Sequence, residues 1–271
     1  MKLIKTIYGL TQATRQFYKK LSSVLTEKMK MRKCLADQCL FGRKTKKGAV
    51  LLAIYIDDTL CVGKPEAINE LKSELATHFA TKEEGELREY IGCEIVREGK
   101  TRLYMRQQVL IKKLERIFGE TVKKLPVYKT PSGTGFRVER CIDEDERIDS
   151  EKQTLYRSGI GILLFLVKFS RPDISNSVCE LSKANDGASD KRLSGLLRTI
   201  KYVLDTKNKA LRYETGMNFQ NTWKLKAYCD SDFAGDKETR RSVSGYCSCC
   251  IRRVLRDHVH SNDSMVCWNQ D

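Results

Sequence analysis

Asp57 and Asp58 stand side by side between two apolar runs, in the stretch VLLAIYIDDTLCVG at positions 50–63. Two explanations compete for the pair. Aspartate is a good turn residue between strands. Carboxylates held rigidly at a strand end also suit nucleotidyl transfer, in which acidic side chains clamp two divalent ions roughly 3.5–4 Å apart. Neighbouring side chains on a strand point to opposite faces, so the two aspartates need not share one ion. A third carboxylate from another strand is then expected. A second cluster, Cys247-Ser248-Cys249-Cys250 with Cys267, His258 and His260, invites a zinc reading. Its spacing lacks the paired Cys-x-x-Cys of a closed tetrahedral site, and thiols on a strand are the expected reading.

The elements that must hold the aspartates can be read around them. Phe17, Leu21, Val24, Leu25 and Met29 recur at helical spacing over 11–29. A strand begins at 40–41, and Lys46-Lys47-Gly48 turns it into a second at 49–56. Asp57-Asp58 then turns into a third at 59–63. Pro65 opens a helix with Ile68, Leu71, Leu75 and Phe79 on one face. Another hairpin is expected at 89–97 and 102–105, and a helix at 108–118. The order predicts an α+β fold of antiparallel strands backed by helices. Residues 125–150 carry Pro126, Pro131, Gly133 and Gly135 ahead of the acidic run IDEDERIDSE, and read as a linker. Helices are expected at 153–169, 172–185 and 191–206, then strands at 210–213, 223–229 and 242–251.

A chain of 271 residues can bury one large core or two smaller ones. No apolar run approaches the ~20 residues of a membrane span, so no membrane partner is expected. The first residues lack the charged, apolar, then small-residue order of a secretory signal. Cys34, Cys61, Cys93 and Cys179 lie in apolar runs, which suits reduced thiols in an intracellular protein, cytoplasmic or nuclear. Fifty Lys and Arg against 35 Asp and Glu give a net charge of +15 and favour an anionic partner, most commonly nucleic acid. Lys19-Lys20, Lys112-Lys113 and Lys123-Lys124 suit either phosphate contacts or solvated helix faces.

KTIYGLTQATRQFY at 5–18, followed by AIYIDDTLCVG at 53–63, resembles the reverse transcriptase of copia-type LTR retrotransposons. That family's pattern is Lys-x-Leu/Ile-Tyr-Gly-Leu-Lys-Gln-Ala-Pro-Arg-x-Trp/Phe-Tyr, then Tyr-Val/Ile-Asp-Asp. LREYIGCEI, LYMRQQVLIKKLERIFG and KTPSG are similar to later segments of the same family, in the same order. YRSGIGILLFLVKFSRPDISNSVCELS resembles its Tyr-Arg … Arg-Pro-Asp-Ile segment. KAYCDSDFAGDKETRRSVSGY is similar to the start of its RNase H domain. The resemblance runs over residues 2–250.

It implies a partial reverse-transcriptase palm and thumb at 1–124, a linker at 125–150, a connection at 151–220 and the first strands of an RNase H-like domain at 221–271. Tyr55 to Asp58 would be the polymerase hairpin. Asp57 and Asp58 would be catalytic metal ligands, and Asp230 the first RNase H carboxylate. Gly9, Gln12, Arg15 and Tyr55 would lie near nucleotide and template, and Tyr90, Ile91 and Gly92 would grip the primer end. Mg²⁺ or Mn²⁺ would be the cofactor. RNA template, DNA primer, RNA/DNA hybrid and other Pol segments would be the partners.

The sequence also departs from the pattern. Thr11 and Thr14 replace the family's Lys and Pro. The other polymerase carboxylate belongs to an earlier strand that would fall ahead of Met1. After Asp232 only Asp236, Glu238, Asp257, Asp263 and Asp271 follow, in no matching helix. Both centres are therefore expected to be incomplete, leaving either an inactive polymerase fragment or a basic module that binds nucleic acid without chemistry.

Overall fold

The computed structural model describes residues 7, 9–99, 101–138, 146–214, 223–235, 240–252 and 266–268. They form an α+β protein of antiparallel sheets and helices, in two compact units, Met1–Leu87 and Arg88–Asp271.

The first unit begins with α1 (Ala13–Ser23), which runs into a single π turn at Val24–Lys28. A four-stranded sheet follows in the order β1 (Arg32–Lys33), β2 (Leu40–Thr45), β3 (Gly48–Tyr55), β4 (Asp58–Gly63). Alternation along β3 sends Val50, Leu52 and Ile54 inward, where they share a core with Phe41, Leu21, Leu25 and Met29. α2 (Pro65–Ala76) closes that core with Ala67, Leu71 and Leu75, and its Pro65 occupies the first turn, where no backbone donor is needed. Arg43 of β2 ties the layers together, donating to the Met29 carbonyl at 2.8 Å and to Glu74 of α2 at 2.6 Å.

In the second unit β5 (Glu89–Tyr90), β6 (Cys93–Glu98) and β7 (Arg102–Arg106) are completed by β8 (Leu211–Glu214), more than 100 residues further on, with Leu103 opposite Tyr213. Between them come α3 (Gln108–Lys123), α4 (Ser150–Phe169), a 3₁₀ turn at Pro172–Ile174, α5 (Ser175–Ser182) and α6 (Asp190–Asp205). Ile111, Leu114 and Phe118 of α3 pack with Ile160, Leu163, Leu181, Leu196 and Ile200 in one core. The helix at 108–123 therefore shares its interior with the helices beyond 150, and the compact boundary falls at Leu87/Arg88. Residues 128–138, linker-like in composition, are laid on this core. Thr199 donates to the Pro131 carbonyl at 3.2 Å, and the buried Val138 donates its N–H to Glu180 at 2.9 Å.

The Arg171-Pro172-Asp173 stretch is a staple between α4, α5 and α6. Arg171, 1% exposed, pairs through two nitrogens with Asp173 and donates to Thr206 Oγ1 at 2.8 Å. Tyr202 donates to the same carboxylate at 3.0 Å. Burial disfavours the charge on Asp173, but these hydrogen bonds and the Arg171 and Lys209 charges outweigh it and hold the carboxyl below its usual range.

The last sheet is β9 (Trp223–Ser231), β10 (Ser244–Arg252) and β11 (Val266–Trp268), antiparallel with β10 in the centre. Cys247, Cys249 and Cys250 lie on β10. His258, His260, Asp236, Glu238, Asp257, Asp263 and Asp271 lie outside the described residues.

Candidate active site

The β3–β4 hairpin is closed by two residues, Ile56 and Asp57, with Tyr55 directly opposite Asp58. Asp57 is thus a loop residue, while Asp58 opens β4 on the same face as Tyr55, Ala53 and Leu60. Only Ile56 takes a left-handed φ, +55°. Two-residue loops favour glycine at such a position, and a β-branched side chain there is strained. Ile56 is also half-exposed, so packing does not repay that strain.

Asp57 and Asp58 are both exposed, and neither carboxylate makes a hydrogen bond or ion pair among the described residues. Free carboxylate oxygens on a rigid hairpin are the donors that hard divalent cations take. No group of three or more His, Cys, Asp or Glu side chains able to hold a metal occurs among the described residues. The oxygens of the pair are donors of the type a divalent ion takes, and a site would need further ligands beside them.

Gly9, Gln12 and Arg15 belong to the same unit. Gly9 has φ +92° in the turn before α1, Gln12 is at the N-cap position, and Arg15 is exposed on the first helical turn. Tyr90, Ile91 and Gly92 fall in the other unit. There Ile91 and Gly92 close a two-residue turn between β5 and β6, with φ +51° and +67°. Positive φ at both positions is the twist that a tight hairpin needs, and again the first position holds an isoleucine. The segment expected as one strand at 89–97 is broken by this turn.

Asp230 lies on β9 opposite Gly245, exposed. Asp232, two residues on, is engaged. It accepts from the Val243 N–H at 2.7 Å and the Gly235 N–H at 3.4 Å, and pairs with Arg137 at 3.3 Å. Its carboxylate fills the space beside Gly235, where a Cβ would meet Oδ2 at 2.0 Å. Arg137 also pairs with Glu180, 1% exposed, at 3.1 Å, and Lys183 donates to both Glu180 oxygens. Sequence reasoning missed this Asp232–Arg137–Glu180 chain. The Asp-Phe-Ala-Gly spacing at 232–235 is the signal that could have found its loop end.

Residues 1–127 match the family described as reverse transcriptase (RNA-dependent DNA polymerase). The Retrovirus-related Pol polyprotein from transposon TNT 1-94 of Nicotiana tabacum is 29% identical over 250 residues, covering 90% of this chain and 18% of that one. The corresponding polyprotein from transposon RE1 of Arabidopsis thaliana is 31% identical over 249 residues, 90% of this chain and 16% of the relative. A putative transposon Ty5-1 protein of Saccharomyces cerevisiae is 24% identical over 241 residues, 89% of this chain and 75% of the relative. No solved structure matches the chain. Residues 1–127 are thus a reverse-transcriptase family region, and about 90% of the chain is similar to the corresponding stretch of copia-type retrotransposon Pol polyproteins. The chain spans less than a fifth of the length of the plant polyproteins it matches.

Proposed function

We propose that this chain is the palm, thumb and connection of a retrotransposon RNA-directed DNA polymerase, joined to the front of an RNase H-like domain and inactive by itself. The observation that carries the reading is the Tyr55–Asp58 hairpin, whose two free carboxylates sit at a turn strained at Ile56. Asp57 and Asp58 would hold a divalent cation, Mg²⁺ or Mn²⁺, which when bound neutralises phosphate charge and activates the attacking hydroxyl. Tyr55 shares the face of Asp58, and in this reading it borders the incoming nucleotide. Gly9, Gln12 and Arg15 serve nucleotide and template, Tyr90 to Gly92 the primer end, and Asp230 the RNase H centre.

Nucleotidyl transfer depends on electrostatic stabilisation by a full set of ligands, and two adjacent carboxylates supply only part of it. In this reading the remainder comes from another segment of the Pol polyprotein or from a partner chain. RNA template and DNA primer, or their hybrid, are the partners this reading implies. A second reading, a basic module that binds nucleic acid without chemistry, is favoured by the net charge of +15 and by exposed Lys19, Lys20, Lys112 and Lys113.

Mg²⁺-dependent extension of a DNA primer on an RNA template tests the first reading, with Asp57→Asn as control. The chain alone should bind template in a salt-sensitive way and not extend it. Extension should appear when the preceding Pol segment is supplied, and disappear in the Asp57→Asn chain. Extension that survives Asp57→Asn would sink the assignment of the hairpin. Salt-sensitive binding with no extension under either condition would leave the non-catalytic reading.

A further inference from the structure

A cavity of about 330 Å³ lies between residues 128–136 and α6, lined by Tyr128, Ser132, Gly133, Phe136, Ser194 and Arg198. Its size is at the low end for small-molecule sites, too large for a bare inorganic anion to fill and too small for a polymer. Arg198 supplies its charge. The guanidinium stacks 4.5 Å from the Tyr128 ring centroid and donates through Nη2 to Thr130 Oγ1 at 3.3 Å. Among the described residues no carboxylate pairs with Arg198, and its Nε is sealed from solvent without an acceptor. Arg43 and Arg171, by contrast, have carboxylate partners in Glu74 and Asp173. A partly buried cation on a cavity wall with no carboxylate beside it favours an anionic ligand, because the charge is then paired.

The remaining lining sets the rest of the ligand. Two aromatic rings and the hydroxyls of Ser132 and Ser194 border the same space. Aromatic rings beside an arginine are the means by which proteins hold nucleobases and phosphates together without reading sequence. We propose that this cavity binds one nucleotide, with its phosphate on Arg198 and its base against the aromatic wall. The site belongs to the second unit and does not rest on the assignment of the Asp57–Asp58 hairpin.

The test is calorimetric titration of the full chain at low salt with dAMP, deoxyadenosine and inorganic phosphate. A monophosphate is used so that metal–triphosphate binding does not enter. Saturable dAMP binding is expected, with each half of the ligand binding at least tenfold more weakly. Arg198→Met should weaken dAMP about ten- to a hundredfold, in keeping with loss of a charged hydrogen bond. Gly133→Val gives an independent check. A Cβ there meets only Arg198 Nη1, at 3.8 Å, so the larger side chain fills the cavity mouth while the fold is kept. It should block dAMP with the melting temperature unchanged. Asp57→Asn should bind dAMP as the parent does, which separates failure of this site from failure of the polymerase reading. A single-stranded oligonucleotide that displaces dAMP assigns the nucleotide to a strand, and one that does not assigns it to a free nucleotide. Phosphate binding as tightly as dAMP, unaltered dAMP affinity in both variants, or no saturable dAMP binding would each overturn the proposal.

Discussion

Asp57 and Asp232 are the same side chain in similar places, each in the turn that follows a strand, yet the fold treats them in opposite ways. Asp57 makes no hydrogen bond or ion pair among the described residues. Asp232 is consumed by its own loop and by Arg137, and through Arg137 it is linked to the buried Glu180. A carboxylate that the scaffold has already satisfied is poorly available to a metal, whereas an exposed, unpaired one gives up only its water. Of the aspartates in the Asp57-Asp58 and Asp230-Ser231-Asp232 stretches, Asp57, Asp58 and Asp230 are unpaired among the described residues, and Asp232 is part of the architecture.

Asp57→Asn should give the widest separation between activity and stability. In a complex that extends primers it should lower the rate by at least about a thousandfold, because a metal ligand acts on transition-state charge. Its stability by urea unfolding should stay within about 0.5 kcal/mol of the parent, since no contact is lost. A stability loss comparable to that of a core substitution would place Asp57 in the scaffold with Asp232 and end the contrast.

Glu180→Gln probes the far end of the other arrangement. Removing that charge leaves Lys183, 12% exposed, and one side of Arg137 without their carboxylate. Breaking a buried pair in this way costs about 3–5 kcal/mol, so the urea midpoint should fall sharply. Gly235→Ala should act more mildly on the same chain. The added Cβ displaces the Asp232 carboxylate from two backbone N–H groups, for a loss of about 1–3 kcal/mol. If Gly235→Ala and Asp232→Asn combined cost no more than either alone, they act on one interaction, as a double-mutant cycle would register.

Much of this contrast was legible before the fold was known, and the part that was not has a physical cause. The alternation of Val50, Leu52 and Ile54 and the turn residues on either side marked the hairpin, but the turn expected at Asp57-Asp58 falls one residue earlier, at Ile56-Asp57, with Asp58 opening β4. The helices at 150–169 and 190–205 were likewise marked by their apolar periodicity. The break at Ile91-Gly92 was hidden, because an isoleucine at a positive φ contradicts the rule used to find turns. Pairing of β7 with β8 and the packing of 128–138 on α6 depend on contacts made across more than 60 residues. No local pattern encodes those partners, and the cavity beside Arg198 was invisible for the same reason.

The smallest expected effect has the opposite sign and asks why the polymerase-like hairpin carries its strain at all. Ile56 holds φ +55° with its side chain half exposed, so the folded state gains little packing from it. Glycine relieves a left-handed backbone but adds entropy to the unfolded chain, and the two terms differ by about 1 kcal/mol. Ile56→Gly should therefore stabilise the first unit by about that amount in urea unfolding. If the strain serves to hold Asp57 and Asp58 in a fixed relation, the same variant should extend primers less well in the reconstituted complex despite its greater stability. A variant that is both more stable and equally active would show that the isoleucine is tolerated, and that rigidity of the aspartate pair comes from the strand register alone.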